Sequence, residues 1–272
     1  VARTIVVESS DDPRLDDFRD LTSADRRPDR PGGRGLVIAE GVIVVRRLLD
    51  SRYPPMALLG VPARLAELAG DLAGHPALPA YEVAAETMSE VVGFHLNRGV
   101  LAVAERAAPV DPTELVRRAR VLAVLEGVND HENLGALFRN AAALGVDGVL
   151  LGPRCADPLY RRSVRVSMGH VLRVPFAPLP AEPAWPASLE LLRDGGRRIV
   201  ALTPRAGARP LAACGLAGAR IAVLLGAEGS GLSEQALAAA DEWARIPMAD
   251  GVDSLNVATA AALAFYAALE QR

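Results

Sequence analysis

The chain has no lysine: its thirty basic residues are all arginine, and 33 acidic residues leave a formal net charge of −3. A phosphate loop of the Walker type is excluded, because it needs a lysine. The acidic balance also argues against indiscriminate coating of nucleic acid, while leaving room for a local basic surface. Only two cysteines occur, Cys155 and Cys214, too few for a disulfide framework or a four-thiolate zinc site. The four histidines, His75, His95, His131 and His170, fall in no metal-ligand spacing, so no metal is expected. Long apolar runs are scarce. Val257 to Leu269, the longest charge-free stretch near a terminus, is too short and too rich in alanine to span a bilayer, so no membrane partner is expected. The N-terminal stretch Val1 to Arg14 soon meets Glu8, Asp11 and Asp12 and has no apolar core with a cleavage site. The expectation is a soluble cytoplasmic protein.

What is present is a globular composition. Half of the 272 residues are apolar and 23% are charged, enough to bury the core of one large domain or two ordinary ones. After a polar opening with a possible helix over Arg14 to Leu21, strand signals at Leu36–Ala39, Ala57–Val61 and Gly99–Ala104 alternate with helical ones at Gly41–Leu49 and Ala63–Leu72. The run Ala107-Ala108-Pro109-Val110-Asp111-Pro112 breaks both periodicities. It divides a smaller α/β domain over residues 1–106 from a linker, 107–118, and a second domain, 119–272. In the second domain, short apolar runs at Arg120–Leu125, Gly148–Leu151, Val171–Val174, Arg198–Leu202 and Arg220–Leu225 suit strands buried on both faces of a parallel sheet. Helix-length segments lie between them at Leu134–Leu144, Pro158–Met168, Leu189–Asp194 and Leu232–Ala240, giving an α/β domain with helices on both faces. The last helix, Leu255 to Leu269, is apolar almost all round and belongs in a core or a subunit interface.

Three polar clusters stand at strand ends of this domain. In the first, Glu126 to Gly135 and on to Arg139, Asn133 occupies a helix N-cap position. Leu134, Leu137, Phe138 and Ala141 then form the core stripe, and Arg139 lies off it, within reach of the loop's crevice. The second, Gly226-Ala227-Glu228-Gly229-Ser230-Gly231, lets backbone approach a ligand closely but is not the dinucleotide fingerprint. Nor is it a nucleophile elbow. Its carboxylate would repel a pyrophosphate, so a ligand with a positive centre or hydroxyl donors fits better. The third runs from Ile246 to Ala258, with Asp253 and Ser254 as helix caps and Asn256 set in an otherwise apolar helix. Read singly, each is a capped helix, a tight turn or a solvated charge. Together, at the same ends of strands, they describe a ligand crevice.

These motifs carry a resemblance. N-x-G-x-x-x-R at Asn133, Gly135 and Arg139, G-x-E-G-x-G-L from Gly226, and I-P-M…S-L-N-V from Ile246 resemble the SpoU (TrmH-like) family of RNA ribose 2′-O-methyltransferases, of the SPOUT class. The segment Pro158 to Gly169 is similar to the family's connecting segment, and residues 36–104 resemble an L30e-like RNA-binding domain. The resemblance implies an α/β fold with a parallel sheet and a deep C-terminal trefoil knot, preceded by the L30e-like α/β domain. It implies S-adenosylmethionine as methyl donor without a metal, and a homodimer through the C-terminal domain. The donor's site maps to Gly226, Ile246 and Leu255, with Leu225, Ala227, Met248 and Thr203 beside them; the family's polar site residues map to Asn133, Arg139, Glu228, Ser254 and Asn256.

The chemistry suits these residue types. A ribose 2′-hydroxyl is a weak acid and must be oriented and partly deprotonated before it attacks a sulfonium methyl. Arg139 would stabilise alkoxide charge or hold a phosphate, the asparagines and Ser254 would position the ribose, and Glu228 would orient the loop or Asn133. The family's Asp-Pro is Asp130-His131 here, which makes His131 an auxiliary acid/base, an RNA contact or simply a solvated loop residue. For RNA contacts the candidates are Arg161, Arg162, Arg165 and Arg173, the cluster Arg117, Arg118 and Arg120, and Arg26, Arg27, Arg30, Arg34, Arg46 and Arg47. With 4% aromatics, ribose and shape contacts are expected rather than base stacking. Ribosomal RNA is the first expected substrate and transfer RNA the second; the other readings are an RNA-binding protein without catalysis and a nucleotide-dependent oxidoreductase.

Overall fold

The computed structural model describes residues 4–19, 21 and 35–269. Arg26, Arg27, Arg30 and Arg34 lie outside the described residues. The chain forms two compact units, one of residues up to Ala108 together with Leu159–Arg173, the other of Pro109–Pro158 and the chain from Val174 onward. Among the described residues no helix is long and apolar enough to cross a membrane.

The first unit contains strands β1 (Thr4–Val6), β2 (Val37–Glu40), β3 (Pro55–Gly60), β4 (Ala80–Glu82) and β5 (Val100–Ala104), with helices α1 (Val42–Leu49), α2 (Pro62–Glu67), α3 (Ala69–Leu72) and α4 (Ala85–Val92). Its sheet runs β1-β4-β3-β5-β2, with β1, β4 and β3 parallel and β5 antiparallel to both neighbours. The core gathers Leu15, Phe18, Ile38, Leu59 and Leu101 with Met88, Val91 and Val92 of α4, which recur at helical spacing. β2, β3, β5 and α1 lie within two residues of the segments expected from sequence. β1, at the sheet edge, and β4, between β1 and β3, were not expected; each is three residues long, too short to show alternation. Arg14–Leu21 is a 3₁₀ turn, Pro13–Phe18, capped by the Asp12 carboxylate.

The second unit contains α5 (Pro112–Arg118), β6 (Val121–Leu125), α6 (His131–Ala143) and β7 (Gly148–Leu151). After α7 (Arg161–Val166), which belongs to the first unit, follow β8 (Phe176–Pro178), α8 (Glu190–Asp194), β9 (Arg198–Leu202), β10 (Arg209–Pro210), β11 (Ile221–Leu225), α9 (Glu234–Ala238), β12 (Glu242–Arg245) and α10 (Val257–Leu269). Its seven strands run β10-β12-β9-β11-β6-β7-β8, all parallel. Every residue of β6 and β11 is buried, which accounts for their unbroken apolar runs. Leu122, Val124, Ala222 and Leu224 pack with Leu115 of α5, Leu192 of α8 and Leu237 of α9. Helices α6 and α10 pack on each other, and α10 also touches β11.

Three expectations change. The supposed linker holds α5, because Asp111 accepts the Thr113 amide and Pro112 fits the first helical position, where no amide bond is lost. Val171–Val174 is no strand: His170–Leu172 is a 3₁₀ turn after the left-handed Gly169, and the strand is β8. The segment expected to lie wholly within the second domain joins the first unit from Leu159 to Arg173. There Arg161 Nη1 lies 3.4 Å from Glu40 Oε2, with its guanidinium carbon 4.9 Å above the Phe94 ring, and Arg47 donates to the Met168 carbonyl.

Candidate functional site

β9, β11 and β12 are parallel, so their carboxyl ends share one edge, where an open α/β sheet ordinarily receives a ligand. A cavity of about 480 Å³ opens there, within the size range of small-molecule sites. Its apolar wall is Leu202, Leu225, Ile246, Leu255, Val257 and Ala260. Polar groups come from Thr203, Glu228, Ser254 and Asn256, and backbone from Gly226 to Gly229 and Gly231. All seven residues expected at a cofactor, Gly226, Ile246, Leu255, Leu225, Ala227, Met248 and Thr203, line it.

The glycine loop between β11 and α9 folds back on itself. A Cβ on Gly226 would lie 2.3 Å from the Gly231 carbonyl carbon and from Leu232 N, so only glycine fits. Gly231 N donates to Ala227 O at 3.0 Å and Ser230 N to Glu228 O at 3.1 Å, which closes the ring and leaves Glu228 on the cavity wall. One residue holds both ends of this loop. The Glu126 amide donates to Leu225 O at 2.9 Å, and its Oε2 accepts the Ser233 amide at 2.9 Å. Its Oε1 accepts Trp185 Nε1 at 2.9 Å, and the residue is 2% exposed. A buried carboxylate is tolerated because each oxygen has a donor. Glu126 had no assigned role in the sequence reading. Its signal was a charged residue placed directly after five apolar ones, Val121–Leu125.

Both helix caps fall elsewhere than expected. Asp130 caps α6, its Oδ1 accepting the amides of Glu132 at 2.9 Å and Asn133 at 2.8 Å, so Asn133 sits in the first turn with its side chain released from capping. Asn256, and neither Asp253 nor Ser254, caps α10: its Oδ1 accepts the amides of Ala258 at 3.0 Å and Thr259 at 3.2 Å. That fixes the direction of the Asn256 amide. Its Nδ2 faces the other way and donates to Asn133 Oδ1 at 2.6 Å and Glu228 Oε1 at 2.7 Å. The three sequence clusters thus meet at one side chain. Because Asn133 Oδ1 is taken, the group it can offer outward is its NH₂ donor, next to the remaining Glu228 oxygen.

The other candidates are dispersed. Arg139 is exposed on α6, six residues beyond Asn133 and so turned about 120° from it around the helix. It is not in the cavity wall, and its side chain forms no hydrogen bond or ion pair with a described residue. Ser254 lines the cavity and is exposed. Arg46 pairs with Asp71 at 2.9 Å and Glu67 O at 2.8 Å, Arg161 is held by Glu40, Arg162 is exposed and Arg165 half-buried. Burial lowers the Arg161 pKa from the ordinary arginine value, with Glu40 opposing the shift.

A parallel α/β domain with an apolar cleft, a glycine loop and a carboxylate at its strand ends is the architecture of a small-molecule-binding domain. The particular family follows from comparison: residues 120–266 match the SpoU rRNA Methylase family, and the chain belongs to it. It is an RNA methyltransferase of that family. A Mycobacterium tuberculosis protein described as an uncharacterized tRNA/rRNA methyltransferase is 59% identical over 94% of this chain and 88% of its own length. The 23S rRNA (guanosine-2′-O-)-methyltransferase RlmB of Bordetella pertussis is 31% identical over 71% of this chain and 78% of its own. The structure of an AdoMet-bound rRNA methyltransferase from Sinorhizobium meliloti superposes with a TM-score of 0.77 at 25% identity, covering 97% of each chain.

Proposed function

We propose that the protein transfers a methyl group from S-adenosylmethionine to a ribose 2′-hydroxyl of RNA, ribosomal RNA first. The observation that carries this is the Asn256 amide, which joins Asn133 and Glu228 beside the cavity. The residues present fit the donor. Apolar walls and loop backbone suit an adenosine, and Glu228 is a carboxylate on the wall where a cationic centre is to be held. When bound, S-adenosylmethionine supplies an electrophilic methyl on a sulfonium.

The chain's own residues do the rest. The Asn133 NH₂ group and the free Glu228 oxygen offer one donor and one acceptor to a ribose edge, and the loop pinned by Glu126 keeps them from reorganising. Arg139, exposed, without an ion-pair partner among the described residues and turned from this chain's own Asn133, would serve the partner's cavity in the proposed dimer, meeting the developing alkoxide or the adjoining phosphate there. The ribose oxygen would gain the methyl as the sulfonium S–CH3 bond breaks, the donor leaving as a neutral thioether, and the hydroxyl proton would pass to solvent. The proposed assembly is a homodimer, since Leu263 and Tyr266 on α10 are 42% and 57% exposed. The L30e-like unit would contribute RNA binding.

The test supplies labelled donor with separate pools of ribosomal and transfer RNA to the protein and to its Arg139→Ala variant. Label in ribosomal RNA, lost in the variant, is the expected result. Label in transfer RNA alone moves the substrate class, and donor binding without any transfer favours an RNA-binding protein that does not catalyse.

A further inference from the structure

The loop after β7 carries an arginine that the proposed chemistry does not use. Arg154 has φ 58°, in the left-handed region that disfavours side chains with a Cβ; among the described non-glycine residues only Met168 shares it. Its backbone is fixed from both sides. Gly152 N donates to Leu125 O at 2.8 Å, Gly127 N to Pro153 O at 2.9 Å and Ala156 N to Val128 O at 2.9 Å, so the loop is stapled to the segment after β6. The side chain is 73% exposed, and the one carboxylate paired with it, Glu126, stands 3.8 Å away, beyond hydrogen-bond distance. Both oxygens of that carboxylate already have donors, Trp185 Nε1 and Ser233 N. The guanidinium therefore keeps its donors for solvent or a ligand. A strained backbone retained at an exposed cation, where glycine or asparagine would relieve it, points to a function for the side chain.

Its place in the sheet says which function. Leu151, Leu125 and Leu225 are in register across β7, β6 and β11, so the Arg154 loop and the glycine loop leave strand ends two spacings, about 10 Å, apart. We propose that Arg154 is an RNA-binding residue that grips a backbone phosphate next to the nucleotide whose ribose enters the cavity. The planar fork of arginine matches a phosphate with two parallel N–H bonds. This inference rests on the RNA methyltransferase reading and adds to it the contact that seats the strand.

Arg154→Asn and Arg154→Lys test it. Asparagine tolerates the left-handed backbone and removes the charge; lysine keeps the charge. Binding to 23S ribosomal RNA purified from a mycobacterium is measured across a salt series, with donor binding and thermal midpoint recorded in parallel. The expected result for Arg154→Asn is a thermal midpoint at or above that of the wild type and unchanged donor affinity. RNA affinity falls, with a salt slope shallower by about 0.7–0.9, one phosphate contact; lysine keeps the slope. In turnover, KM for RNA rises several-fold while kcat holds. Equal RNA affinity and salt slope in wild type and Arg154→Asn would overturn the inference, as would a loss of stability with RNA binding unchanged. A wild type that binds this RNA and the donor but transfers no methyl overturns the methyltransferase reading alone, and the salt slope still decides on Arg154.

Discussion

Replacing Asn256 separates its structural task from its chemical one. In Asn256→Ala, α10 loses its cap, worth about 1 kcal/mol, and the bonds to Asn133 and Glu228, worth about another 1 kcal/mol at an exposed site. At about 2–4 °C per kcal/mol for a unit of this size, the thermal midpoint falls by about 4–8 °C. Asn256→Asp keeps the cap, and its charge suits a helix N-terminus. It turns the Nδ2 donor into an acceptor facing the Glu228 carboxylate, a repulsion of about 1 kcal/mol in water at 4 Å. With the two Nδ2 bonds also lost and the helix dipole offsetting part of the cost, its midpoint falls by about 2–7 °C, while methyl transfer falls by about 10²-fold or more because the donor pattern at the cavity is inverted. Differential scanning fluorimetry and initial rates of labelled methyl transfer read the two effects. Wild-type turnover in Asn256→Asp, or an unchanged midpoint in Asn256→Ala, would refute the reasoning.

Further outcomes follow from the same geometry. Gly226→Ala places a methyl 2.3 Å from the loop's own backbone, so calorimetry should show donor binding lost while the far-UV spectrum is kept; ordinary affinity contradicts the closed loop. Glu126→Ala strands the Ser233 amide and the Trp185 indole, costing about 2–4 kcal/mol in denaturant melts, with Trp185 emission moving to the red; an unshifted spectrum contradicts the bond. Phe138→Ala, which empties a fully buried ring site against Phe176, should cost about 3–5 kcal/mol. The Arg117 guanidinium holds the Glu114 carboxyl down at about 2, so its stabilising effect is complete above the ordinary value of 4.5 and is lost as pH falls through about 2. An NMR titration midpoint near 4.5 contradicts that ion pair.

The cavity was legible in the sequence because its parts are of a kind that sequence shows: apolar runs ending in polar turns, and glycines where only glycine fits. All three polar clusters fall on it or touch it, and Asn133 and Glu228 converge on one amide. The caps were misplaced because Asn129, Asp130 and Asn133 are all capping types, and which one caps depends on where the chain turns helical. The same ambiguity hid Asn256 behind Asp253 and Ser254. Membership of the Leu159–Arg173 segment escaped because its anchor, Glu40, 6% exposed, lies more than a hundred residues away along the chain, beyond any local pattern. The reach of Arg139 was inferred from its spacing along the chain, whereas its angle around α6 turns it from Asn133.

The most direct test of the central claim is to identify the product atom. Ribosomal RNA incubated with the protein and S-adenosylmethionine is digested to nucleosides and analysed by tandem mass spectrometry. The account predicts one new methyl group on a ribose fragment, absent with Asn256→Asp. A methyl group on a base, or none on the ribosomal RNA despite donor binding, contradicts it.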